Sequence, residues 1–261
     1  MQDLNSLQSQ DSSDEGAQAW AIPFADMMTL LLTLFILLLV ILKESEKFVD
    51  QQINLLLKET YEQLNKEIDN ENVSIERVTK GIQITLRGNL FQSMKANVNK
   101  SYIPIIQDIS KIIENCKLFK IEETKKYSAL VDFLEERNEE LNVEIRCEGH
   151  TDDAILPPQS DFKNNWELSS ARSLRVVNIM NAASSISEKY FSYNGYGEFR
   201  PLINVSGIDN FQKKKQARAY NRRVEIYLDA FARSKTRSSE DEFLKMLNDK
   251  FNKEERIQPK N

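Results

Sequence analysis

Asp26 is the residue whose place in the sequence could do chemistry. It interrupts Trp20–Leu42, a stretch otherwise free of charge and made chiefly of Leu, Ile, Phe, Met and Thr. At ~1.5 Å of helical rise per residue, Asp26 and Leu42 lie about 24 Å apart. A hydrocarbon core is ~30 Å thick, so in a spanning helix Asp26 lies below the membrane surface. A carboxylate there costs roughly 2.5–3.5 kcal/mol at the centre and less near an end. Thr29 and Thr33 follow at i+3 and i+7, on the same helical face. A narrow polar stripe on one side of a lone helix suggests a seam that faces protein and not lipid. One helix makes no ion path by itself, so the seam implies partner helices. The plainer alternative is an interfacial acid in the first helical turn, favoured by the helix dipole.

Little else suggests catalysis. His150 is the only histidine, so a His-based metal centre or a Ser–His pair could exist only there, and its sequence neighbours supply no partners. A lone histidine of this kind is expected to be a structural hydrogen-bonding residue. Cys116 and Cys147 are too few for a zinc site or a disulfide framework. No paired carboxylates and no nucleophile–base pair stand at a recognisable spacing. Neither a catalytic residue, a metal nor an organic cofactor is expected, and the chain is not expected to be an enzyme.

The 261 residues carry 35 Lys+Arg and 40 Asp+Glu, and no basic stripe that would suggest nucleic-acid binding. Residues 1–42 contain five acids and no Lys or Arg. A retained membrane helix over residues 20–43 fits better than a cleaved signal peptide. No basic segment precedes the apolar run, and Lys43-Glu44-Ser45-Glu46 is no small-residue cleavage site. Pro23 suits the first turn of such a helix, and Trp20 the headgroup level. Lys43, Lys47 and Lys58 follow the helix. Taken alone, they favour a cytoplasmic C-terminal part.

Val49, Ile53, Leu57, Tyr61, Leu64 and Ile68 recur at helical steps, so residues 44–72 are expected to be a helical linker. It would be a spacer or a self-pairing helix, or alternatively a plug lying on the membrane. Beyond it, Gly81–Leu86, Val143–Cys147 and Arg223–Leu228 alternate as half-buried strands do, and Tyr190–Tyr196 is a further short strand. Tyr102–Ile113, Glu122–Leu141 and Trp166–Ala183 have helical character, the second as a charged surface insertion. This order gives an α/β sandwich, a mixed sheet with helices on one face. The expected organisation is an acidic tail (1–19), a membrane helix (20–43), a linker or plug (44–72), an α/β domain (73–230) and a charged tail (231–261), the last with a helix around Glu240–Phe251.

Four ordered motifs carry a family resemblance: Glu148-Gly149-His150-Thr151-Asp152, Asn165-Trp166-Glu167-Leu168-Ser169-Ser170-Ala171-Arg172, Gly195-Tyr196-Gly197-Glu198, and Asn221-Arg222-Arg223-Val224-Glu225-Ile226. Together they resemble the OmpA-like peptidoglycan-binding domain, and the Asn-Trp-Glu-Leu-Ser form is similar to MotB-type stator B subunits. Phe24-Ala25-Asp26-Met27-Met28-Thr29-Leu30-Leu31 resembles the membrane segment of that family.

The resemblance implies that Asp26 carries a transported proton, with Thr29 and Thr33 lining its path. It implies that Asp152 binds the ammonium of a diaminopimelate in the wall peptide, Arg172 its carboxylate, and Asn165 supports both. Arg222, like His150, is expected to give structural support through acid or loop contacts. Implied partners are peptidoglycan, a second copy of the chain, and a pentamer of multi-pass A-type subunits. The N-terminus would be cytoplasmic and the domain periplasmic, which overrules the lysine asymmetry. The load would be a flagellar rotor or an antiphage machine of the Zorya type, whose ZorB subunit shares this plan. The rival is a structural anchor that transports no ion. No intramolecular Cys116–Cys147 bridge is expected.

Overall fold

The computed structural model describes residues 4–92 and 94–235, of which residues 4–19 as backbone only. The helix expected around Glu240–Phe251 lies outside the described residues. Helix α1 runs unbroken from Leu4 to Glu67. The two helices expected on either side of Lys43 are therefore one. No Gly or Pro separates them, and Lys43, Glu44 and Glu46 are good helix formers. Because α1 begins at Leu4, Pro23 lies inside it rather than in its first turn. Proline removes one backbone donor and crowds one preceding turn, a local cost that does not stop the helix here.

The chain divides into two compact units after Gln51. In the first, every side chain from Trp20 to Glu44 is exposed, including the whole apolar run. This is a helix long and apolar enough to cross a membrane.

The second unit contains the last turns of α1 and a five-stranded sheet. Its elements are β1 (Val73–Val78), β2 (Gly81–Leu86), α2 (Ile103–Asn115), α3 (Ser128–Glu136), β3 (Glu139–His150), α4 (Asn165–Ala183), β4 (Phe191–Gly195), α5 (Phe211–Asn221) and β5 (Arg223–Ser234). The strand order is β1-β2-β5-β3-β4. Among the described residues only β3 and β4 pair in parallel. Ile82, Ile84, Val143, Ile145, Val224, Ile226 and Leu228 supply the buried face of the sheet. Helix α4 lies against β3 and β4, with α2 against α4. This is the mixed sheet with helices that the alternation predicts.

Three differences from expectation have physical causes. The helix expected over Glu122–Leu141 ends at Glu136, and Asn138 turns the chain with a φ of 55°. Residues 139–142 then extend β3, paired with the end of β5. Strand β1 was not expected, because Arg77 occupies a position that alternation assigns to an apolar residue. Its guanidinium bonds Asn54 of α1 instead. Helix α5 was not expected either: it buries only Ala217 and Asn221, so it has no apolar stripe to detect.

Ile53, Leu56, Leu57 and Leu64 of α1 are buried within the second unit. Glu59 accepts from Lys117 (2.9 Å), Lys126 (2.5 Å) and Tyr127 (2.9 Å). Burial would raise the Glu59 carboxyl, but these three donors outweigh it and hold it at about 2. The apolar stripe, which a spacer would leave open and a self-pairing helix would turn to a second copy, is thus covered at Ile53, Leu57 and Leu64 by this chain's own core.

Candidate functional site

Sequence-distant segments meet at the end of β3. The strand stops at His150, and Asp152 stands two residues beyond it. Helix α4 opens with Asn164, whose side chain caps the helix by accepting from the Glu167 N–H. That cap fixes Asn165 in the first turn and Arg172 two turns later. β3 and α4 approach closely at Gly149, where a Cβ would lie 2.1 Å from the Ser169 carbonyl oxygen. Arg222, the C-cap residue of α5 that immediately precedes β5, also enters. Phe91 enters from the β2–α2 loop. Asp152, Asn165, Arg172, Arg222 and Phe91 line a cleft of about 280 Å³, with Ile155, Leu156 and Met94 also at its wall.

The structure brings Asp152, Asn165, Arg172 and Arg222 into this one cleft. Asp152 accepts from Arg222 Nη1 through Oδ2 at 2.6 Å, and among the described residues Oδ1 accepts only the Ala154 N–H at 3.3 Å. Arg222 therefore makes an acid contact, with Asp152 itself as the acid. Asn165 donates to the Ala154 carbonyl at 3.1 Å and to Glu198 Oε2 at 2.5 Å, tying the loop after β3 to the Tyr196–Glu198 turn.

Arg172 is 4% exposed. Its Nε donates to the Lys95 carbonyl at 3.1 Å, and its guanidinium lies 4.8 Å from the Phe91 ring centroid. Among the described residues no carboxylate comes within 4.0 Å of it. Burial pulls it down to about 10, against the opposing charge of Asp152, and it stays cationic at neutral pH. A guanidinium has five N–H donors, and a buried cation needs a counter-charge. The cleft thus holds a buried cation and, beside it, a carboxylate with one oxygen less engaged than the other.

Asp153 was not singled out in the sequence. It accepts a two-pronged contact from Arg218 at 2.6 and 3.0 Å, which joins the loop after β3 to α5. Phe91 and Glu198 were likewise missed. The Gly195-Tyr196-Gly197-Glu198 motif was the one signal that could have found Glu198.

His150, expected to be a structural hydrogen-bonding residue, has no hydrogen-bond partner at either ring nitrogen among the described residues; its contacts are a ring and a nearby carboxylate. It is buried, stacks on Tyr196 with centroids 5.5 Å apart, and its Nε2 lies 3.6 Å from Glu225 Oε2. Glu148 and Glu225 face each other across β3 and β5. Like charges so placed repel. Arg146 answers Glu148 at 3.1 Å, and Arg223 answers Glu225 at 2.5 Å. Burial would raise the Glu225 carboxyl, but His150, Arg223 and Tyr227 hold it at about 2. Glu148, His150 and Glu225 could sit around a cation. The carboxylate oxygens are already engaged by guanidinium and phenol groups, so the arrangement is an internal ion-pair network. Cys116 and Cys147 are free and buried, and burial pushes both thiols up, away from reactivity.

In the first unit, Thr29 Oγ1 donates to the Asp26 carbonyl at 2.7 Å and Thr33 Oγ1 to the Leu30 carbonyl at 2.8 Å. Both hydroxyls thus serve their own helix. Among the described residues nothing pairs with the Asp26 carboxyl.

Two family models match the chain in succession. Residues 7–57 match the membrane MotB of the proton-channel complex MotA/MotB, and residues 90–215 match the OmpA family. Motility protein B of Bacillus subtilis (strain 168) is 26% identical over 177 residues, 66% of this chain and 56% of that protein. The match therefore spans little more than half of that relative's length. Motility protein B of Helicobacter pylori (strain ATCC 700392 / 26695) is 24% identical over 255 residues, covering 82% of this chain and 87% of that protein. The crystal structure of a MotB-like protein of Desulfovibrio vulgaris has the same fold. It is 19% identical, with a TM-score of 0.50, and the match covers 72% of this chain and 99% of that one. Along one polypeptide, then, the chain resembles a MotB membrane segment followed by an OmpA-like domain.

Proposed function

We propose that this chain is the wall-anchored, proton-carrying B subunit of an ion-driven motor in a bacterial inner membrane. The observation that carries the anchoring reading is the buried Arg172 guanidinium, with no carboxylate within 4.0 Å among the described residues, in one cleft with the Asp152 carboxylate. A zwitterionic centre such as that of diaminopimelate in a wall peptide answers both charges. Its carboxylate meets Arg172 and its ammonium meets Asp152, whose other oxygen Arg222 holds in place. Asn165 keeps the cleft's two loops together.

The N-terminal helix supplies the other half of the reading. Asp26 accepts a proton arriving from the periplasm and releases it to the cytoplasm, with Thr29 and Thr33 on the same face. Each charge crossing the membrane releases about 2.3 kcal/mol per 100 mV. A multi-pass A-type ring around two copies of this chain would convert that energy into rotation, while the periplasmic domains hold the wall. Flagellar and Zorya-type loads fit equally. A second reading, an anchor that transports no ion, draws on one observation: Thr29 and Thr33 spend their hydroxyls on backbone carbonyls.

Co-sedimentation of the detergent-solubilised full chain with purified peptidoglycan tests the anchoring. Asp152→Ala and Arg172→Ala each leave an unmatched buried charge in the complex, a loss of roughly 2–5 kcal/mol. At ~1.4 kcal/mol per decade, each weakens binding more than tenfold. Undiminished sedimentation of both variants, with unchanged circular dichroism, refutes the site.

A further inference from the structure

Trp166 and Phe199 form an exposed aromatic surface beside the cleft. Their rings stack with centroids 5.1 Å apart and planes 26° from parallel, yet they stay 48% and 62% exposed. Aromatic surface left in water and held in a fixed arrangement marks a place where something docks.

The pair is rigidly built. Trp166 sits in the first turn of α4. Phe199 leaves the Tyr196–Glu198 turn, which is pinned on two sides. The Thr151 N–H donates to the Gly197 carbonyl at 2.9 Å, and the Gly197 N–H donates to Ser169 Oγ at 2.9 Å. Gly197 has a φ of +54°, and a Cβ there would lie 3.5 Å from both the Phe199 ring and the Trp166 backbone nitrogen. The surface is also continuous with the cleft. Asn165 and Glu198, the residues immediately before the two rings, are joined by the 2.5 Å hydrogen bond described above.

We propose that Trp166 and Phe199 form a stacking platform for the amino-sugar strand of the wall polymer whose peptide enters the cleft. This rests on the peptide-anchoring reading and extends it from the peptide to the sugar. A pyranose ring has an apolar C–H face that packs on an aromatic face, and a polar rim that needs hydrogen-bonding groups. Here the rim is charged. Glu198 lies beside the pair, and Arg200, whose guanidinium stands 3.6 Å from the Tyr196 ring centroid, follows it. Such a rim suits a ligand with one apolar face and polar edges better than a lipid or a wholly apolar partner. Covalent connectivity adds to this, because a wall peptide bound in the cleft brings its own sugar to the cleft's mouth.

Titration of the solubilised full chain with two probes, a disaccharide tetrapeptide and the same tetrapeptide without sugar, tests the platform. The wild type should bind the disaccharide form about tenfold more tightly, the upper range of an aromatic stacking contact. Trp166→Ala should abolish that difference and leave affinity for the free peptide unchanged. Trp166→Phe should keep part of it. Equal affinity of the wild type for both probes overturns the platform and leaves the peptide cleft standing. So does an equal loss for both probes in Trp166→Ala. Binding of neither probe by the wild type overturns the peptide-anchoring reading and the platform with it.

Discussion

The two units treat buried or dehydrated charge in opposite ways. In the membrane-type helix, Asp26 stands among exposed apolar side chains with no partner for its carboxyl among the described residues. In the sheet domain, Glu225 and Glu148 are more deeply enclosed, yet guanidinium groups of the same chain answer both. An acid that finds its counter-charge within the chain stabilises the fold. An acid left without one depends on what surrounds the helix. Arg172 stands between these cases: it is buried and held by a carbonyl and a ring, with no carboxylate within 4.0 Å among the described residues.

The largest effect that would break this contrast concerns Asp26. Asp26→Asn keeps the size and polarity but cannot shed a proton near neutral pH. In cells that also make the A subunit, we expect proton flux and motor output to vanish while the complex still assembles. Full output from this variant would move Asp26 to the structural side and favour the plain anchor.

Leu57→Ala sharpens the boundary between the regions. Leu57 lies on α1 but is 1% exposed, in the core of the second unit. Its truncation should lower the domain's stability by about 2–5 kcal/mol in chemical denaturation. Leu32→Ala, at an exposed position on the same helix, should leave that transition unmoved. A fragment that begins at Val73 lacks Leu56, Leu57 and Leu64 and should be markedly less stable than one beginning at Gln52.

Acid should separate the units next. Glu59 and Glu225 are both held at about 2 in the folded domain, below an unfolded glutamate near ~4.3. A depressed carboxyl adds stability that is fully present above the unfolded value and lost as pH falls through the folded one. Domain stability followed by denaturation should therefore decline between about pH 5 and pH 2, and Glu225→Gln should flatten the decline. A pH-independent transition over that window would show that the two networks contribute nothing net. The smallest effect belongs to Lys126→Ala. Its ammonium is half-exposed beside Glu59, and its loss should cost less than about 1 kcal/mol by the same measurement.

Much of the architecture was legible because its signals are local. Apolar alternation along β2 and β5 and the spacing of isoleucines in α2 depend only on neighbours a few residues apart. Strand β1 and helix α5 escaped for the converse reason. Arg77 is tolerated on the inner side of an edge strand because Asn54 reaches it, and α5 is held by Asp153–Arg218 rather than by an apolar face. Neither partner is visible from within the element itself.

By itself the sequence determined the uncharged helix with its single acid, and which residue types the motifs would present. Composition and period along one stretch of chain suffice for that. The tertiary structure alone decided which charges meet. Asp152 pairs with Arg222 across 70 positions of sequence, and the Glu59 cluster reaches from α1 to Lys126 and Tyr127. Trp166 meets Phe199 only because the Gly197 turn is pinned to β3 and α4. Such contacts arise when loops from separate elements are brought to one end of a sheet, and no periodicity in the chain encodes where those ends converge.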